Sequence, residues 1–101
     1  MIYAYIGGFD NLSDFEHQKA VIREFAEDHQ MEIDEWCVEV IDLRTVKPRK
    51  LQEFSRAMSA GDLLIVEGIS RLGHSLQAVL SVLRLLMAGG ITVRTVSEDL
   101  V

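Results

Sequence analysis

The chain has 101 residues, of which 49% are hydrophobic and 26% are charged, and it contains a single cysteine. This size predicts one domain with its own core, and the composition excludes both a disordered chain and a disulfide scaffold. No apolar run approaches the ~20 residues of a transmembrane helix, and no secretory signal precedes the first predicted strand. We therefore expect a cytoplasmic domain that does not contact a membrane.

The formal net charge of −6 is distributed unevenly along the chain. Eleven acidic and two basic residues lie between Asp10 and Asp42, whereas five basic residues and one acidic residue lie between Leu43 and Arg56. Contacts with phosphates supply most of the affinity of DNA-binding proteins, so an acidic chain is poorly suited to bind DNA. We expect weak or no DNA binding by this chain alone.

The first half of the chain reads as strand, helix and strand. Residues 2–6 (IYAYI) are apolar and rich in β-formers, which predicts a buried strand. Ser13 and Glu16 have the spacing of a capping box, so a helix is expected to begin there and to end near His29. Residues 36–41 alternate in polarity, which predicts a strand with a solvent-facing side, near an edge of the sheet.

The second half continues the alternation, with a helix that Pro48 opens and Gly61 ends, a strand over 62–66, a helix over 75–88 and a strand over 91–96. Strands that alternate with helices across short connections form parallel sheets with right-handed crossovers. The predicted fold class is therefore α/β, with three layers: a mostly parallel sheet flanked by helices. We expect the strands at 2–6 and 63–66 to be central and the strand at 36–41 to lie near an edge.

Metal and cofactor sites are not indicated. The three histidines and the one cysteine show no spacing typical of metal ligands. Cys37 falls in a predicted strand without an activating base beside it in the sequence, so we interpret it as a packed thiol. We expect no metal and no cofactor.

Four segments together resemble the N-terminal catalytic domain of the serine recombinases, that is, the resolvases and DNA invertases. They are Met1-Ile-Tyr-Ala-Tyr-Ile6, Pro48-Arg-Lys-Leu-Gln52, Gly61-Asp-Leu-Leu-Ile65 and Ser70-Arg-Leu-Gly-His-Ser-Leu76. The resemblance covers nearly all of residues 1–96. It implies a resolvase-like fold and a connection with DNA recombination.

The resemblance also shows where this sequence departs from the family at the reaction centre. Family members attack a DNA phosphodiester with a serine in a Tyr-x-Arg-Val-Ser motif, and arginines stabilise the phosphoryl oxygens. That motif falls on residues 5–9, so the family's arginine corresponds to Gly7 and its nucleophilic serine to Phe9. A second family arginine corresponds to His74. We therefore expect no catalytic residues and no enzymatic activity.

Some basic positions of the family are retained. Arg71 matches a family arginine, and the arginine that opens a helix corresponds to Arg49, or to Lys47 if the gap moves by two residues. These three residues are the candidates for contact with DNA. Family recombinases continue into a dimerisation helix and a helix-turn-helix domain, neither of which precedes Val101. The expected organisation is a single resolvase-like domain over residues 1–101.

The main hypothesis is an inactive recombinase-like domain that acts through protein–protein contacts. It would form a homo- or hetero-oligomer, as an accessory or inhibitory partner of an active site-specific recombinase. The candidate interface is the apolar helix over 75–88, through Leu76, Val79, Leu80, Leu83 and Met87.

Two alternatives remain open. The first is a residual phosphoryl-transfer or DNA-cleaving activity around Arg71, Arg49, Asp42 and Glu67. The second is an acidic module that competes with DNA for a basic partner. The resemblance also suggests a test: because residues 7–9 and His74 are expected on loops, the quadruple change Gly7→Arg, Gly8→Val, Phe9→Ser and His74→Arg should leave folding intact.

Overall fold

The computed structural model describes residues 1–9, 11–41, 49–73 and 75–97, with Arg49 described by its backbone alone. The elements in chain order are β1 (Ile2–Gly8), α1 (Leu12–Asp28), β2 (Glu35–Val40), α2 (Arg49–Arg56), β3 (Leu63–Val66), a 3-10 turn (Ile69–Leu72), α3 (Leu76–Ala88) and β4 (Thr92–Thr95). This alternation of strands and helices confirms the predicted α/β class.

The four strands form one sheet in the order β2-β1-β3-β4, and every neighbouring pair is parallel. The prediction that β1 and β3 are central and β2 lies at an edge is confirmed. Tyr5 is in register with Cys37 on one side and with Val66 on the other. The carboxyl ends of all four strands therefore meet at one edge of the sheet, where ligand sites of parallel sheets form.

Helices cover both faces of the sheet, so the molecule has three layers. On one face Ile22 of α1 packs against Ala4, Ile6 and Ile65. On the other face α2 and α3 bury a larger cluster against β1 and β3, including Tyr3, Tyr5, Leu51, Leu64, Val66, Val82 and Leu86. Full burial of one such aliphatic side chain contributes about 2 kcal/mol. Among the described residues, no helix is both long and apolar enough to cross a membrane.

Two predicted helix ends are wrong. Asn11, not Ser13, caps α1: its backbone is extended, and its side-chain oxygen accepts a hydrogen bond from the Asp14 amide at 3.0 Å. Helix α2 ends at Arg56 instead of reaching Gly61. Gly61 instead has a φ of +94°, a left-handed conformation that favours glycine, in the turn that leads into β3.

The side of β2 that faces the core carries a buried charged residue, Glu39. Cys37 and Glu39 are buried, while Val38 and Val40 are exposed. Strand alternation places Cys37 and Glu39 on the face that α2 covers, and Val38 and Val40 on the opposite face at the free edge. A solvent-facing side was predicted for this strand, and it consists of valines.

The Cys37 thiol should be unreactive in the folded chain. Burial, followed by the nearby negative charge of Glu39, raises the pKa of Cys37 from 9.0 to about 11. At pH 8 the thiolate population is therefore about a hundredfold smaller than for an unshifted thiol. Because the folded pKa is the higher one, the stabilisation by the neutral thiol is present below pH 9 and is lost as the pH rises towards 11.

Reaction at pH 8 with an aromatic disulfide that releases a coloured thiolate tests this prediction. We expect the folded chain to react at least about a hundredfold more slowly than the same chain in denaturant. Comparable rates in the two states would contradict it.

Candidate functional site

The candidate site is a cleft of about 180 Å³ beyond the carboxyl ends of β1 and β3. It is lined by the end of β1, the first turn of α1 and the loop that precedes α3. Three positions singled out from the sequence, Gly7, Phe9 and Arg71, all line this cleft. The fold thus brings together residues that lie more than 60 positions apart in the chain.

Arg71 is held at the cleft by two carboxylates. Its Nη1 and Nη2 donate to Asp14 Oδ2 and Oδ1, both at 3.0 Å, and its Nε donates to Glu67 Oε1 at 2.8 Å. Burial opposes the charge of Arg71, but the hydrogen bond to Glu67 and the proximity of Asp14 raise the pKa of Arg71 above its usual value. All three side-chain nitrogens of the guanidinium are therefore engaged within the protein.

Glu67 is the more buried of the two carboxylates that pair with Arg71. Burial acts to raise its pKa, but hydrogen bonds from Ser97 and Arg71 outweigh burial and hold the pKa of Glu67 below its usual value. The carboxylate thus stays ionised at neutral pH. It fixes the guanidinium so that the remaining nitrogens face Asp14.

Gln18 joins α1 to the end of β1. Its side chain is fully buried; Nε2 donates to the Gly7 carbonyl oxygen at 3.1 Å, and Oε1 accepts from the Gly7 amide at 3.3 Å. Strand β3 pairs with β1 only as far as Tyr5, so Gly7 lies beyond its reach. Gln18 supplies the hydrogen bonds that a neighbouring strand would otherwise make.

Gly7 and Gly8 belong to β1 and not to a loop, which corrects the expectation that substitutions there are tolerated. A Cβ on Gly7 would lie 2.6 Å from Tyr5 Oη and 2.8 Å from the Arg71 carbonyl oxygen. A Cβ on Gly8 would meet only side-chain atoms, the nearest being Asp14 Oδ2 at 3.2 Å. The close approach of Arg71 backbone to β1 therefore requires glycine at position 7.

Phe9 follows β1 at the mouth of the cleft and is 55% exposed. Of the other two candidates for DNA contact, Lys47 and the side chain of Arg49 lie outside the described residues. His74, which stands at a family arginine position, lies outside them as well. Arg71 is thus the one sequence-derived DNA-contact candidate whose side chain the structure describes, and it is paired with Asp14 and Glu67. Within the described ranges, no group of three His, Cys, Asp or Glu residues could hold a metal ion.

A sequence model described as the resolvase N-terminal domain matches residues 9–100. The chain belongs to this family. Among curated proteins, none matches the chain.

Two solved structures show the same fold as this resolvase-family chain. One is the C-terminal catalytic domain of ISC1926 TnpA, described as an IS607-like serine recombinase, with a TM-score of 0.72 and 11% identity over 100% of this chain and 71% of that one. The other is the C-terminal catalytic domain of IS1535 TnpA, also described as an IS607-like serine recombinase, with a TM-score of 0.64 and 20% identity over 97% of this chain and 71% of that one. At these identities the likeness concerns the fold alone.

A buried carboxylate that the sequence analysis missed lies on the α2 side of this resolvase domain. Glu39 Oε1 accepts from the Tyr5 hydroxyl at 2.9 Å and the Leu51 amide at 3.2 Å, and Oε2 accepts from the Lys50 amide at 2.8 Å. The two amides belong to the first turn of α2, whose N–H groups have no partner within the helix. Burial and the nearby Glu39 charge raise the pKa of Tyr5 far above its usual value, so its hydroxyl remains a donor.

The proposed interface on α3 divides into buried and exposed residues. Val79 was predicted to be part of the interface, and this is wrong: it is buried in the core with Val82 and Leu86, since the spacing of the three directs them to the sheet. Leu83 is partly buried and packs against the same core. By contrast, Leu76, Leu80 and Met87 are 73%, 44% and 70% exposed.

Proposed function

We propose that this resolvase-family domain does not cleave DNA and acts through contacts with another protein. The observation that carries the proposal is Phe9, which stands where the family resemblance places the nucleophilic serine. A phenyl ring has no atom that can attack phosphorus, and Phe9 is one of the exposed residues that line the cleft. Phosphoryl transfer needs a positioned nucleophile in addition to stabilising charges.

The electrostatics of the cleft support the same proposal. Stabilisation of a phosphoryl group requires cationic donors aimed at its oxygens. Arg71 directs its donors at Asp14 and Glu67 instead, and the other family arginine position in the cleft is Gly7. The net charge of −6 opposes the approach of DNA as a whole.

The surface proposed for protein contact is an apolar stripe on α3, which consists of Leu76, Leu80, Leu83 and Met87. Their spacing of four, three and four residues places them along one side of the helix. Arg84 is the one charged residue of α3. Burial of this face in an interface therefore carries only a small free-energy cost for removing charge from water. We propose the catalytic domain of an active serine recombinase as the partner, with this chain as its accessory or inhibitory subunit.

Incubation with supercoiled plasmid tests the absence of cleavage. We expect no nicked product and no covalent protein–DNA adduct after denaturing electrophoresis, with an active serine recombinase as the positive control. An adduct on the wild-type chain would overturn this part of the proposal.

Light scattering coupled to gel filtration tests the protein contact. Leu80→Glu on the α3 stripe should abolish co-elution with a serine recombinase of the same host. Leu12→Glu is the matched control, since Leu12 is also an exposed leucine, 71% accessible, but lies on α1. A wild-type chain that stays monomeric with this recombinase, or equal effects of both variants, would contradict the α3 interface.

A further inference from the structure

The contact between Arg71 and Asp14 has the geometry with which a guanidinium binds an anion. Two parallel N–H groups meet the two carboxylate oxygens, each at 3.0 Å. This fork matches a phosphate as well as a carboxylate, because both present two oxygens at a similar spacing. The partners lie 57 residues apart in sequence and come together at the cleft.

The surroundings of the Asp14 carboxylate also suit an anion. Gln18 Nε2 donates to Asp14 Oδ2 at 3.0 Å, while Glu67 holds the Nε of Arg71 and so fixes the orientation of the fork. Asp14 lies in the first turn of α1, where the helix dipole favours negative charge. The Arg71 and Asp14 side chains are 26% and 27% exposed, so a dissolved ion can reach this position.

We propose that Asp14 is a built-in competitor, a carboxylate that occupies the phosphate-binding position of Arg71 and keeps anions out of the cleft. The inference rests on the proposed function, since it names what prevents Arg71 from engaging a DNA phosphate. A phosphate can bind Arg71 in this domain only by displacing a carboxylate that is covalently part of α1. Such an intramolecular ligand has a high effective concentration and outcompetes millimolar phosphate.

A purely structural role for the ion pair, as a link between α1 and the loop before α3, makes a different prediction. Removal of Asp14 would then lower stability without creating affinity for an anion. Removal of Asp14 changes thermal stability in both cases, whereas it increases the affinity for phosphate only if Asp14 blocks a binding position.

The experiment is a titration of the folded chain with inorganic phosphate at constant ionic strength, followed by NMR chemical shifts of the backbone amides around the cleft. We expect Asp14→Ala to bind phosphate at least about tenfold more tightly than the wild type. Glu16→Ala is the matched control, because it removes an exposed acid from the same turn region of α1 and changes the net charge equally. The double variant Asp14→Ala/Arg71→Gln should lose the gained affinity.

Equal phosphate binding by the Asp14→Ala and Glu16→Ala variants would overturn the inference, as would affinity that survives the Arg71 change. If Asp14→Ala does not fold, Asp14→Ser replaces it, since serine is small, uncharged and compatible with the first turn of a helix. The outcome is separate from that of the plasmid assay. A DNA adduct on the wild-type chain would refute the proposed function, whereas unchanged phosphate affinity would refute only the role of Asp14.

Discussion

Glu39→Ala is expected to lower the free energy of unfolding by about 3 kcal/mol. The substitution leaves the Tyr5 hydroxyl and the Leu51 amide buried without an acceptor, and it removes the partner of the Lys50 amide. Each buried donor left unpaired costs about 1–3 kcal/mol. The first turn of α2 also loses the negative charge that its dipole favours.

Two further variants separate this capping role from a general effect of charge. Glu35→Ala removes an exposed glutamate from the same strand and should change the unfolding free energy by less than about 0.5 kcal/mol. Glu39→Gln retains one carbonyl oxygen but turns an amide group towards donors, so it should fall between the two. Urea unfolding followed by circular dichroism measures all three, and similar values for Glu35→Ala and Glu39→Ala would contradict the cap.

The layers of this fold were predictable because local patterns agree with the global structure. Runs such as residues 2–6 and 63–66 are apolar on both faces, which is what the two central strands of a parallel sheet require. The edge position of β2 followed from its alternation in polarity. These patterns depend on neighbours in sequence, so a single chain reveals them.

The face of β2 and the start of α1 were not predictable in the same way. Valine outranks glutamate in any scale of hydrophobicity, yet Glu39 is buried because the unpaired amides of α2 lie opposite it. Asn11 competes with Ser13 for the cap of α1, and sequence spacing alone favoured Ser13. A long-range contact with α2 determines which face of β2 is buried, and the local cap geometry determines where α1 begins.

The position of the cleft could be predicted from the sequence, but the hydrogen bonds and ion pairs inside it could not. Strand ends located Gly7, Phe9 and Arg71 at one edge of the sheet. Nothing local connects Arg71 with Asp14, because 57 residues separate them. Gln18 offered a signal that was missed: it is a polar residue on the apolar side of α1, four positions before Ile22, and such a residue needs a buried partner.

Gly7→Ala is expected to destabilise the domain by about 2 kcal/mol, whereas Gly8→Ala should cost less than about 1 kcal/mol. The added methyl at position 7 meets the buried Tyr5 ring and the backbone of Arg71, neither of which can move without breaking other contacts. The methyl at position 8 meets the ends of side chains that can shift by a few tenths of an ångström. Urea unfolding of the two neighbouring variants is the measurement, and equal losses would contradict the close packing at Gly7.

This difference decides how a rebuilt family motif will behave. Gly7→Arg, combined with Gly8→Val and Phe9→Ser, introduces a long side chain where not even a methyl group fits, so we expect the triple variant to be largely unfolded. A missing DNA adduct would then reflect lost structure. Phe9→Ser alone is the informative variant, because Phe9 is exposed and its replacement should leave the unfolding free energy within about 0.5 kcal/mol.

The restored serine of Phe9→Ser is nevertheless expected to form no covalent adduct with DNA. Arg71 remains paired with Asp14 and Glu67, and positioning of the two reactants can account for ~7–11 kcal/mol of such a barrier, which one side chain does not recover. The combination Phe9→Ser/Asp14→Ala also releases Nη1 and Nη2 of Arg71 from Asp14, and the same trapping assay at low salt compares both variants. An adduct with Phe9→Ser alone would contradict this expectation and would mean that the cleft can bind and orient a phosphodiester once a nucleophile stands at position 9.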